Sequence, residues 1–66
     1  MRNTITVFYA KKGSQFDEGS ELDLLEDYRK DGAQSGMFMG LRDGKLIELM
    51  CDFSEVRITH QSENVK

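Results

Sequence analysis

A chain of 66 residues with nine Lys and Arg against twelve Asp and Glu carries a net charge of −3 and a pI of about 5.0. It makes one domain at most. A single cysteine, Cys51, and a single histidine, His60, exclude an intrachain disulfide and a Cys/His zinc cluster.

A chain this short buries only about 60% of the surface its unfolded form exposes, and one such core contributes roughly 3–5 kcal/mol. With disulfides and metals excluded, the expected support is self-association or a binding partner. The acidic balance disfavours direct nucleic-acid binding, which wants a basic face, and suits a larger protein with a basic surface. Apolar residues make up 38% of the chain and charged ones 32%, which is polar but not a disordered composition. No apolar run approaches the ~20 residues of a membrane span, so no membrane contact is expected. Met1-Arg2-Asn3-Thr4 begins a strand-like pattern, not a signal peptide, and the lone cysteine argues against an oxidising compartment. Cytoplasmic residence follows as the expectation.

Thr4–Ala10 alternates Ile5, Val7 and Tyr9 with Thr6, Phe8 and Ala10, the period-2 pattern of a strand. Lys11-Lys12-Gly13-Ser14 ends it as a loop. Ser20–Asp31 then reads as the one helix. Ser20 with Asp23 forms an [ST]-x-x-[DE] capping box, and Gly32 stands where a C-terminal glycine cap belongs. Glu21 and Asp23 sit at the start and Arg29 and Lys30 at the end, as the helix dipole prefers. At 100° per residue Leu22, Leu24, Leu25 and Tyr28 share one side, and Asp23, Glu26, Asp27, Lys30 and Asp31 the other.

Gly36–Phe53 reads as a hairpin. Asp43-Gly44 is a strong signal for a type I′ turn, and it sets the register: Arg42 opposite Lys45, Leu41 opposite Leu46, Gly40 opposite Ile47, Phe38 opposite Leu49, Met37 opposite Met50. One face then carries Met37, Met39, Leu41, Leu46 and Met50 with Glu48, for which a core role is expected. The other carries Phe38, Ile47, Leu49 and Cys51. Glu55–His60 alternates again and makes a last strand. The resulting fold class is α+β, a β-α-β-β-β domain over residues 1–60 with one helix on a mainly antiparallel four-stranded sheet. Residues 61–66 form a frayed tail. A mismatch remains: the hairpin is apolar on both faces, and a single helix covers only one. The second face needs a curled sheet, a second copy or another molecule.

Catalytic chemistry is poorly supplied. Cys51 and His60 lie nine residues apart with no orienting motif, and a free cysteine usually behaves as a small buried hydrophobe. There is no G-x-S-x-G, P-loop or calcium-loop spacing, so no enzyme, cofactor or metal is expected. The unusual segment is acidic: Asp17, Glu18, Glu21, Asp23, Glu26 and Asp27 fall within eleven residues without a Lys or Arg. On a helix, Asp23, Asp27 and Asp31 would form an i, i+4, i+8 column, tolerated at roughly 0.2–0.5 kcal/mol per like-charge pair.

The functional expectation is a non-catalytic binding module, a small inhibitor or accessory factor. It docks on a basic surface of a larger protein through Asp17, Glu18, Asp23, Glu26, Asp27 and Asp31. Its size and acidity resemble the general style of small inhibitors encoded by phages and mobile elements, a similarity that rests on no motif. Two alternatives stand beside it. One is a homodimer joined through the uncovered sheet face or by edge pairing of the strand that holds Ile58. The other is a weak nucleic-acid-binding regulator using Arg2, Lys11, Lys12, Arg42, Lys45 and Arg57, with Phe8 or Tyr9 as a stacking platform.

Overall fold

The computed structural model describes the backbone of residues 2–64 and the side chains of residues 4–61. Five strands run in chain order: β1 (Arg2–Ala10), β2 (Glu21–Asp27), β3 (Ser35–Arg42), β4 (Lys45–Asp52) and β5 (Val56–Asn64). They form one antiparallel sheet in the order β4-β3-β2-β1-β5. Among the described residues the only helical pieces are 3₁₀ turns at Tyr28–Asp31 and Phe53–Glu55. The domain is therefore all-β with five strands, where an α+β fold with four strands and a packed helix was expected. The tail assignment changes too. Residues 61–64 continue β5 opposite β1 out to Asn64↔Arg2, and residues 65–66 lie outside the described range.

The expected helix fails for a physical reason. Glu21-Leu22-Asp23-Leu24 alternates as well as it spaces helically, and its carboxylates make a helix self-repelling. As a strand, Leu22 falls to 3% exposure beside Phe8, and Asp23 through Asp27 pair with β3 across a bulge between Leu24 and Glu26. A helix here would have left β1 and β3 without their shared neighbour. The supposed N-cap does other work: Ser20 Oγ donates to the Asp17 carbonyl at 2.6 Å. Gly32 does cap a helical end, at φ 90°, but of the Tyr28–Asp31 turn, with its N–H donating to the Arg29 carbonyl.

The β3–β4 hairpin has the expected register. Asp43 at φ 53° and Gly44 at φ 77° make the type I′ turn that matches strand twist. Phe53 N–H donates to the Gln34 carbonyl at 2.9 Å, which carries the ladder one step past β4.

The sheet is curled. Three residues, Phe53–Glu55, join β4 at one edge to β5 at the other. Crossing four inter-strand gaps of a flat sheet takes roughly 19 Å, while four residues of chain reach at most ~14 Å. The concave side holds the core: Phe8, Ala10, Phe16, Leu22, Phe38, Cys51 and Val56 are buried, with Leu24, Ile47, Leu49 and Phe53 packed against them. Phe8, Phe38 and Phe53 form a triangle of edge-on rings with centroids 5.3–6.2 Å apart. Such edge-to-face pairs add about 0.5–1.5 kcal/mol each beyond their burial.

Phe16, from the loop between β1 and β2, closes the hollow of the curl at 5% exposure. Gly40 makes room for it: a Cβ there would overlap Leu22 Cδ2 and come within 3.0 Å of Phe16 Cδ1. The molecule measures 38 × 31 × 17 Å with a radius of gyration of 12.9 Å, against roughly 11 Å for a compact chain of this length. Strands β1 and β5 pair over nine positions, while β1 meets β2 at only Phe8 and Tyr9. No helix among the described residues is long and apolar enough to cross a membrane.

Candidate functional site

Alternation on β3 and β4 sends every second side chain to the convex side of the sheet. Phe38, Gly36 and Gly40 point into the core with Leu49, Cys51 and Ile47 opposite them. Met37, Met39 and Leu41 therefore point outward with Met50, Glu48 and Leu46 opposite. The methionine face expected to form the core is instead the outside of the molecule. Leu46 is 65% exposed, Met50 59% and Leu41 40%. The curl and Phe16 satisfy the other face, so no element remains to cover this one.

Acids frame it. Asp23 pairs with Met39 and Glu26 with Met37, which puts both carboxylates on the same convex side. Glu21, two residues before Asp23 and opposite Tyr9, joins them, and Glu48 stands between Leu46 and Met50. Leu25, at the bulge, is 44% exposed beside this row. The result is an apolar strip of Met37, Met39, Leu41, Leu46 and Met50 edged by four carboxylates. Flexible, polarisable methionines adapt to more than one partner shape.

The six acids singled out in the sequence are dispersed, so the expected column is corrected. Asp17 is a clamp: its Oδ1 accepts from Asp43 N–H at 2.9 Å and its Oδ2 from Gly44 N–H at 3.0 Å. Those two bonds tie the β1–β2 loop to the hairpin tip and pull the Asp17 pKa below its ordinary 3.8. Asp27 caps the following 3₁₀ turn by accepting from Arg29 N–H. It also takes a two-pronged contact from the Arg29 guanidinium, 3.0 Å at Nε and 2.8 Å at Nη2. The side-chain bonds, then the backbone bond, lower its pKa to about 2. The guanidinium in turn lies 3.8 Å from the Phe53 ring centroid, over the core aromatics. Asp31 sits exposed at the end of that turn. Only Asp23 and Glu26 share a surface.

Glu18 has a different setting. It lines a hollow of about 370 Å³ with Tyr9, Ala10, Lys11, Lys12, Gly19 and Arg57. Arg57, opposite Tyr9 on β5, lies 5.4 Å from its ring centroid. Lys11 Nζ donates to the Ser54 carbonyl at 3.0 Å. Of the cations considered for nucleic acid, Lys11, Lys12 and Arg57 come together here with Tyr9. Arg42 and Lys45 flank the hairpin turn, and Phe8 is in the core.

Cys51 and His60 do not meet. Cys51 is 2% exposed, and its Sγ contacts Glu55 Oε1 at 3.6 Å. Burial, then the Glu55 carboxylate, pushes its thiol up to about 11. His60 Nδ1 lies 3.1 Å from Thr6 Oγ1 on the exposed β1–β5 ribbon. Among the described residues no cluster of three His, Cys, Asp or Glu could hold a metal ion.

Comparison with known protein families, characterised proteins and solved structures finds no match.

The role of Phe16 escaped the sequence reading. Its one signal was a lone aromatic inside a polar loop, together with a mid-strand glycine, Gly40, that implied close approach of something else.

Proposed function

We propose that the chain is a non-catalytic binding module, an accessory or inhibitory factor. Its convex face docks on an apolar patch set among basic residues of a larger protein. The observation that carries this reading is the exposure of Leu46, Met50 and Leu41 within a frame of Glu21, Asp23, Glu26 and Glu48. Apolar side chains left in water do nothing for stability, and contiguous ones mark interaction surfaces. Acids at the rim steer a basic partner and reject acidic ones.

The test compares capture from host extract by the unmodified chain, by Leu46→Thr with Met50→Thr, and by Asp23→Lys with Glu26→Lys. Loss of the same captured protein in both variants supports the reading. Equal capture by all three chains removes it. Sedimentation at micromolar concentration separates the homodimer alternative, in which this face meets itself or the edge strand that holds Ile58 pairs with its equivalent.

A second reading has its own observation. Lys11, Lys12 and Arg57 around the Tyr9 ring suit the phosphates and one base of single-stranded nucleic acid. Absence of any shift of a labelled single strand at low salt, or a shift unchanged in Lys11→Ala with Lys12→Ala, rules it out.

A further inference from the structure

Strand β4 is the end of the sheet and pairs only with β3 among the described strands. The bond from Phe53 N–H to the Gln34 carbonyl fixes which of its backbone groups are used. Along an antiparallel strand, residues alternately turn their N–H and C=O to one neighbour and then the other. Phe53 faces β3, so Cys51, Leu49, Ile47 and Lys45 face β3 as well. Leu46, Glu48 and Met50 turn their N–H and C=O to the open side. The same three residues form the outermost row of the convex face. One strand thus offers unpaired backbone groups and an apolar-acidic-apolar row of side chains together.

A second copy of this chain is a poor occupant. Closed two-fold pairing of β4 with itself has four registers that overlap substantially. Centred on Glu48, it sets Glu48 opposite its own equivalent. Centred on Leu49, it sets Glu48 opposite Met50 and Leu46 opposite Asp52. Centred on Met50, it sets Glu48 opposite Asp52. Centred on Ile47, it sets Glu48 opposite Leu46. Each register faces Glu48 with a carboxylate or an apolar group, and like charges directly opposite destabilise a pair. A charged residue in mid-edge is also how native sheets discourage their own edges from joining.

Resting on the docking reading above, we propose that the partner enters as an extended segment that adds a sixth strand alongside β4. That segment carries a basic residue opposite Glu48 and apolar residues opposite Leu46 and Met50. Backbone bonds to the three open residues supply affinity, and the alternate side chains supply selection.

The experiment titrates the isotopically labelled chain with the peptide Thr-Leu-Thr-Arg-Thr-Leu-Thr, which reads the same in both directions, and follows amide exchange by NMR. The amides of Leu46, Glu48 and Met50 are expected to gain protection, while those of Ile47 and Leu49, already bonded to β3, stay as they were. Replacing the peptide arginine by glutamate should weaken binding roughly three- to tenfold, and Glu48→Lys should invert that preference. Several results overturn the proposal: no binding of either peptide, binding that leaves those three amides unprotected, or equal affinity for both peptides. So does protection of the three amides without peptide, which would mean the chain pairs with itself. Binding that moves the Met37, Met39 and Met50 methyl signals without protecting the edge amides sinks the added strand but leaves the docking face standing. Failure of the capture comparison sinks the face itself.

Discussion

The two sides of the β3–β4 hairpin share one backbone ladder and differ in everything else. On the concave side Phe38 is fully buried and Cys51 is 2% exposed, while on the convex side Leu46 and Met50 are more than half exposed. Both sides are apolar. The difference comes from the loop between β1 and β2, which lays Phe16 over one side and nothing over the other. Burial and exposure thereby fall on alternate residues of the same strands, so single substitutions should separate stability from the proposed docking.

The largest expected effect is on the concave side. Phe38→Ala removes the ring between Phe8 and Phe53 and should cost about 3–5 kcal/mol, comparable to the whole contribution of so small a core. Circular dichroism should show the variant unfolded at 25 °C. Gly40→Ala should be next, at about 1–3 kcal/mol of overpacking, read as a lower urea midpoint. Retained stability there would mean that Phe16 and Leu22 have room to move.

The convex side should behave oppositely. Glu48→Val should leave the urea midpoint within about 0.5 kcal/mol yet make the chain self-associate as its concentration rises, visible by sedimentation. A variant that stays monomeric would show that the edge is not held apart by that carboxylate.

The smallest effect concerns the clamp that ties the loop to the hairpin tip. The Asp17 and Asp27 carboxylates have folded pKa values below 3.8, that of Asp27 at about 2. Their contribution is therefore complete above the unfolded value and is withdrawn as pH falls through the lowered ones. The melting temperature should drop between pH 4 and 2, and Asp17→Asn should flatten part of that drop. It should also speed exchange at the Asp43 and Gly44 amides.

The hairpin was legible because its information is local. Asp43-Gly44 dictates the turn, and the turn dictates each opposed pair from Arg42↔Lys45 to Met37↔Met50. That the hairpin was apolar on both faces was also plain. Which face would be covered was not legible, because the answer lies in Phe16, more than twenty residues away.

The segment from Ser20 to Asp31 misled for the opposite reason. Its helix signals are local and genuine, since Gly32 does terminate a helical turn. Two strands needing a common neighbour outweighed them. The acidic column vanished with the helix. Asp23 and Glu26 still share a surface only because a bulge at Leu25 keeps both on the convex side of β2.

The pairing of β1 with β5 also constrains how the molecule can be made. Strand β1 leans on β5 over nine positions and on β2 over two, so the earliest strand is chiefly held by the latest. During synthesis the two are made far apart in time. The first strand then waits for some fifty further residues before its main partner exists, a delay of roughly 3–10 s at ordinary elongation rates.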